Sequence, residues 1–123
     1  MTARPSIGLS LDVPATLFGG RTAALVLLFV AANREGYATQ IARALGMPVG
    51  QVQRQLLKLE AGDVLQARSV GRTRLFSMNE RLPFVRDLEA LLRRALEYLP
   101  DAQQRQLMVR GRPRKTGKGL PEA

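Results

Sequence analysis

The chain has no cysteine and no histidine among its 123 residues. Their absence removes disulfides, thiolate and imidazole metal sites, and nearly every catalytic scheme that pairs a nucleophile with a histidine base. No phosphate-binding loop motif is present either, so no catalytic residue, cofactor or metal is expected. Long apolar runs are also missing. The longest, Thr22 to Ala32, falls far short of the roughly 20 residues that cross a bilayer. Met1 to Pro14 has one early arginine and no sustained apolar stretch, so a secretory signal is not expected and a cytoplasmic, nucleoid-associated location is. Acidic residues are scarce, 10 against 19 basic ones for a formal charge of +9. That imbalance makes nucleic acid the first partner to consider, ahead of an anionic membrane. The length suits one compact domain with terminal extensions.

What is present is a succession of short periodic segments. Residues 1–16 read as an N-terminal arm. Gly19 and Gly20 make a turn before Arg21 to Asn33, which is apolar nearly all round, as a helix at the centre of a small core would be. Gly36 closes that unit. Ala38 to Leu45 carries Ile41, Ala42 and Leu45 on one helical face, and Gly46 ends it. Pro48 is placed to open a third helix, where its missing N–H is not needed. That helix runs to about Glu60. Val49, Val52, Leu56 and Leu59 form its inner stripe, while Gly50, Gln51, Arg54, Leu57 and Lys58 point outward without a carboxylate among them. Gly62 and Asp63 stop it, both tolerant of the left-handed conformation of a helix end. Val64 to Val70 and Thr73 to Met78 then read as strands around Gly71-Arg72, with Phe76 and Met78 on one face. Arg68, Arg72 and Arg74 cluster at the turn.

From Pro83 the pattern is helical again, with Val85, Leu88, Leu92, Ala95 and Leu99 in one stripe flanked by Phe84, Leu91, Leu96 and Tyr98. A last helix this apolar, after a domain with its own core, is expected to pack against a copy of itself, making the chain a homodimer through that stripe. The alternative is that the stripe folds back on its own domain. Asp87, Glu89 and Glu97 alternate with Arg86, Arg93 and Arg94 and are expected in ion pairs, not around a cation. Residues 101–123 have the composition of a flexible basic tail.

Short helix, turn, helix and basic hairpin is the order of a winged helix-turn-helix. The predicted fold is therefore mainly α with a small β-hairpin: a DNA-binding domain over residues 17–80 and a dimerisation helix over 81–100. In such a module the third helix lies in the major groove of double-stranded DNA. Arg54 is then the first candidate for base reading, since its planar fork takes guanine bidentately. Lys58, Gln51, Gln53 and Gly50 share that helix, and either glutamine can pair with adenine. Arg68, Arg72 and Arg74 suit phosphate or minor-groove contact from the wing, and Thr39 and Gln40 suit backbone phosphate at the start of the second helix.

The residues that carry these roles resemble the ArsR-type winged-helix transcription regulators. The similar stretches are Leu17-Phe18-Gly19, Gln40-Ile41-Ala42-Arg43-Ala44-Leu45-Gly46, Val52-Gln53-Arg54-Gln55-Leu56 with Leu59-Glu60, and Arg74-Leu75-Phe76-Ser77-Met78-Asn79, within roughly 14–99. The resemblance implies a homodimer whose two third helices enter successive major grooves. Metal or redox sensing, which many such regulators perform through cysteine and histidine, does not carry over. Near the C-terminus, Arg110-Gly111-Arg112-Pro113-Arg114-Lys115 is similar to an AT-hook, which lies extended in the narrow minor groove of A/T-rich DNA. A generic phosphate-binding tail is the other reading of Arg110, Gly111, Arg112 and Pro113. The expected function is sequence-specific DNA binding in transcription regulation, most simply as a repressor. Its rivals are an architectural DNA protein with little base selection and an antitoxin or adaptor whose winged helix holds another protein.

Overall fold

The computed structural model describes residues 11–109, which are mainly helical with a three-stranded antiparallel sheet in the order β1-β3-β2. The elements are α1 (Asp12–Leu17), α2 (Arg21–Asn33), β1 (Glu35–Gly36), α3 (Ala38–Leu45), α4 (Val49–Ala61), β2 (Leu65–Val70), β3 (Thr73–Met78), α5 (Val85–Glu97) and α6 (Asp101–Leu107). None of the described helices is long and apolar enough to cross a membrane.

Helix α2 is the pillar of the fold, as its all-round apolar sequence requires. Every residue from Ala23 to Ala31 is buried, and α1, β1, α3, α4, β3, α5 and α6 all pack on it. Its one buried polar side chain, Asn33, donates from Nδ2 to the carbonyls of Phe29 (2.9 Å) and Leu107 (2.5 Å). An unpaired amide at that depth would cost the fold about 1–3 kcal/mol. Asn33 instead joins the end of α2 to the end of α6.

Two-residue β1 was not legible as a strand. It pairs with β3 in the register Glu35↔Ser77 and Gly36↔Phe76. Gly36 is required there by space, since a Cβ would stand 2.8 Å from Phe29 Cε1 and 3.1 Å from Ile41 Cδ1.

Helices α3 and α4 are joined by Gly46, Met47 and Pro48. Gly46 takes φ +66°, and the Met47 amide donates back to the Ala42 carbonyl at 3.0 Å. This is the left-handed closure that glycine favours after a helix. On α4, Val52 and Leu56 are fully buried and Leu59 packs at the core's edge, whereas Val49, expected on the same stripe, is 44% exposed. The end of α4 also differs from expectation. Gly62 keeps a negative φ of −89°, and Asp63 is the residue with positive φ, +64°. Asn79 Nδ2 donates to the Asp63 carbonyl at 2.9 Å and ties this turn to the end of β3.

The hairpin forms as read, from Leu65↔Met78 to Val70↔Thr73, with Phe76 and Met78 buried. Gly71 has φ +61°, the sign that the first central residue of a II′ connection needs.

The structure corrects the ends of the chain in three respects. Within the arm assigned to 1–16, Asp12–Leu17 is helical, with Leu11 and Pro14 buried; residues 1–10 lie outside the described part. The flexible tail does not begin at 101. Pro100 caps α6, Leu107 is 1% exposed, and Gln104 Nε2 donates to the Leu99 carbonyl at 2.8 Å. Third, Val85, Leu92 and Leu99, assigned to the dimer interface, are 4%, 0% and 3% exposed within the chain's own core. Leu88 and Ala95 are half-buried against that same core. The stripe folds back on its own domain because α2 offers an apolar surface on every side.

Candidate nucleic-acid interface

The outward face of α4 is set by its inward one. Burial of Val52 and Leu56 turns Gly50, Arg54, Leu57 and Lys58 to solvent, and all four are exposed. Arg54 folds back over Gly50, its Nη1 3.8 Å from where a Cβ would stand. From Gly50 to Lys58 this face is about 12 Å long at 1.5 Å per residue, comparable with the roughly 12 Å width of a DNA major groove.

Beside it lies an open groove of about 430 Å³ lined by Tyr37, Ala38, Thr39, Gln53, Arg72, Thr73, Arg74 and Phe76. It unites three segments distant in sequence: the start of α3, the flank of α4 and the tip of the hairpin. Thr39, Gln53, Arg72 and Arg74 are thus neighbours. Among the described residues, none that lines this groove is acidic.

Other candidates have structural employment. Gln51 does not share the outward face: it is half-buried, and its Nε2 donates to Thr22 Oγ1 at 2.7 Å, bracing α4 against the first turn of α2. Gln40 Oε1 accepts the Tyr37 amide at 3.3 Å and so caps α3. Arg68 pairs with Glu35 at 3.1 Å. Arg74 makes a fork onto both oxygens of Glu60, at 3.2 and 2.7 Å, with its guanidinium 5.2 Å from the centre of the Phe76 ring. Glu60 is the only acidic residue of α4. Arg74 therefore does two things at once, fastening the hairpin to α4 and neutralising the one carboxylate of that helix. Arg54, Lys58 and Arg72 make no ion pair among the described residues. Arg110, Gly111, Arg112 and Pro113 lie outside the described residues.

A second groove, of about 420 Å³, adjoins the first through Tyr37. Its other walls are Gln40, Arg43, Ala44, Arg105, Gln106 and Val109. Neither Arg43 nor Arg105 was among the residues picked out by sequence. Arg43 was visible as a polar residue opposite Ile41 and Leu45, but Arg105 belongs to a helix whose composition reads as tail.

No family model matches the chain, and no similar curated protein or solved structure was found.

Proposed function

We propose that this protein is a winged helix-turn-helix regulator that binds double-stranded DNA at specific sequences and represses transcription as a homodimer. The observation that carries this reading is the composite face of α4 and the hairpin. Arg54 and Lys58 stand exposed, Arg72 and Thr39 share the adjoining groove, and the only carboxylate on α4 is covered by Arg74. Such a surface presents donors to base edges from the helix and cations to phosphates from its flank, the division of labour that positions a protein on a duplex and lets it read sequence. The resemblance of residues 40–46, 52–60 and 74–79 to ArsR-type regulators supports it.

Pairing of two copies follows from a different face than the buried stripe. Phe84, Leu91 and Tyr98 are 58%, 48% and 47% exposed and recur every seven residues, at the N-cap, the middle and the C-cap of α5. Apolar groups at that spacing suit a second helix of the same kind.

The decisive experiment selects the preferred duplex from a random library and compares Arg54→Ala with the unmodified protein on that site and on random DNA. The substitution is expected to cost about 1–3 kcal/mol on the selected site and much less on random DNA. Equal losses on both would favour architectural binding without base selection.

A further inference from the structure

We propose that the groove between α3 and α6 is a second phosphate-contacting surface, so that the duplex backbone tracked by Arg72 and Thr39 continues past Arg43 to Arg105. This inference rests on the DNA-binding reading and extends the interface to an element, α6, that the helix-turn-helix and hairpin do not include.

Arg43 and Arg105 are exposed, neither makes an ion pair among the described residues, and no acidic residue lines the groove. Two guanidinium groups brought to one concavity without a counter-charge repel each other, and that cost is relieved by a bound anion. The geometry suits an extended polyanion more than a small one, because both arginines are solvent-facing at an open rim.

Position supplies the second part. Arg43 lies one turn beyond Thr39 on the exposed side of α3, so the two present a single ridge. Tyr37 lines both grooves. A backbone leaving Arg72 and Thr39 therefore meets Arg43 next and Arg105 after it. Val109, the last described residue, lines the same groove. In sequence it is followed by Arg110, Arg112, Arg114 and Lys115, four cations in six residues.

The test uses the full chain and a duplex longer than the helix-turn-helix footprint, with affinity measured by fluorescence anisotropy across a salt series. Arg43→Gln with Arg105→Gln is expected to flatten the plot of log affinity against log salt by about 1.8, which is about 0.9 for each of two phosphates. A charge-matched control, Arg81→Gln with Arg93→Gln, lowers the net charge equally at positions that line neither groove, and is expected to leave the slope unchanged. Arg43→Lys with Arg105→Lys should restore the slope, because phosphate contact needs the charge and not the fork. Equal flattening by the test and control pairs would reduce the effect to net charge and overturn the proposal. An unchanged slope in the Gln pair would overturn it too. If Arg54→Ala weakens the selected site while the Gln pair alters nothing, the second surface falls and the DNA-binding reading stands. Absence of DNA binding by the unmodified chain removes both.

Discussion

At the scale of single residues, the same side chain takes different work according to what the fold places beside it. Arg68, Arg72 and Arg74 lie within seven positions, yet Arg68 faces Glu35, Arg74 lines the groove while gripping Glu60, and Arg72 lines it with no ion pair among the described residues. Sequence could identify the arginines but not the partners, because Glu35 lies 33 positions from Arg68 and reaches it only through the β1–β3 pairing. Arg34 shows backbone strain of the same hidden kind. Its φ of +74° and ψ of −36° lie outside the left-handed well near ψ +47° that some residues tolerate. Arg34→Gly should therefore stabilise the fold by about 1 kcal/mol in urea unfolding, the relief of strain exceeding the added freedom of the unfolded chain. No gain in the urea midpoint would mean that residue 34 is not strained. Gly36 makes the opposite case. Gly36→Ala forces a methyl to within 2.8 Å of Phe29 and should cost about 1–3 kcal/mol by the same measurement, as overpacked cores do.

At the scale of elements, periodicity reported which face of a segment is apolar but not what covers it. The burial of α2, the inner face of α4 and the β2–β3 hairpin were legible because each repeats its pattern over a dozen residues or closes on Gly71. The stripe of α5 was equally legible, and its occupant was mistaken. Val85, Leu92 and Leu99 meet α2 and the core of their own chain, and nothing in a spacing of three and four distinguishes that surface from a second copy. Two elements fell below the threshold of pattern altogether. Strand β1 has two residues, and α6, Asp-Ala-Gln-Gln-Arg-Gln-Leu, has one large apolar side chain to report its position. That one residue matters. Ending the chain after Val109 should leave thermal unfolding unchanged. Ending it after Pro100 removes buried Leu107 and the carbonyl that Asn33 donates to. The loss expected from the apolar surface uncovered and the one Asn33 hydrogen bond removed is about 3–5 kcal/mol. Leu107→Ala isolates the cavity and should cost about 2–4 kcal/mol. Equal stability of the chains ending at 100 and 109 would show that α6 adds nothing to the fold.

At the scale of the whole molecule, the proposed function requires two copies of the α4 face to meet one duplex. In the proposed homodimer, the exposed row Phe84, Leu91 and Tyr98 would be self-complementary about a two-fold axis at Leu91. An antiparallel pairing there would set Phe84 against Tyr98 of the partner subunit and Leu91 against its own copy. The same operation would bring Asp87, exposed beside the row, toward Arg94 of the partner subunit, so that opposite charges would flank the apolar contact. From residue 84 to residue 98 the row is about 21 Å long at 1.5 Å per residue, enough for two aromatic anchors with an aliphatic centre. Leu91→Glu with Tyr98→Glu should therefore give a monomer in sedimentation while leaving the protomer folded, since both side chains are about half exposed, 48% and 47%. Leu92→Glu, one position away and 0% exposed, should unfold the chain instead by burying a charge. The contrast between neighbouring positions separates a dimer seam from a core. Loss of dimerisation should in turn weaken binding to a palindromic site far more than to a half-site, because a dimer docks both recognition helices one DNA turn apart while a monomer docks one. A monomeric unmodified protein at tens of micromolar, or a double variant that still sediments as a dimer, would remove the seam from the account and leave Phe84, Leu91 and Tyr98 without a partner of their own kind.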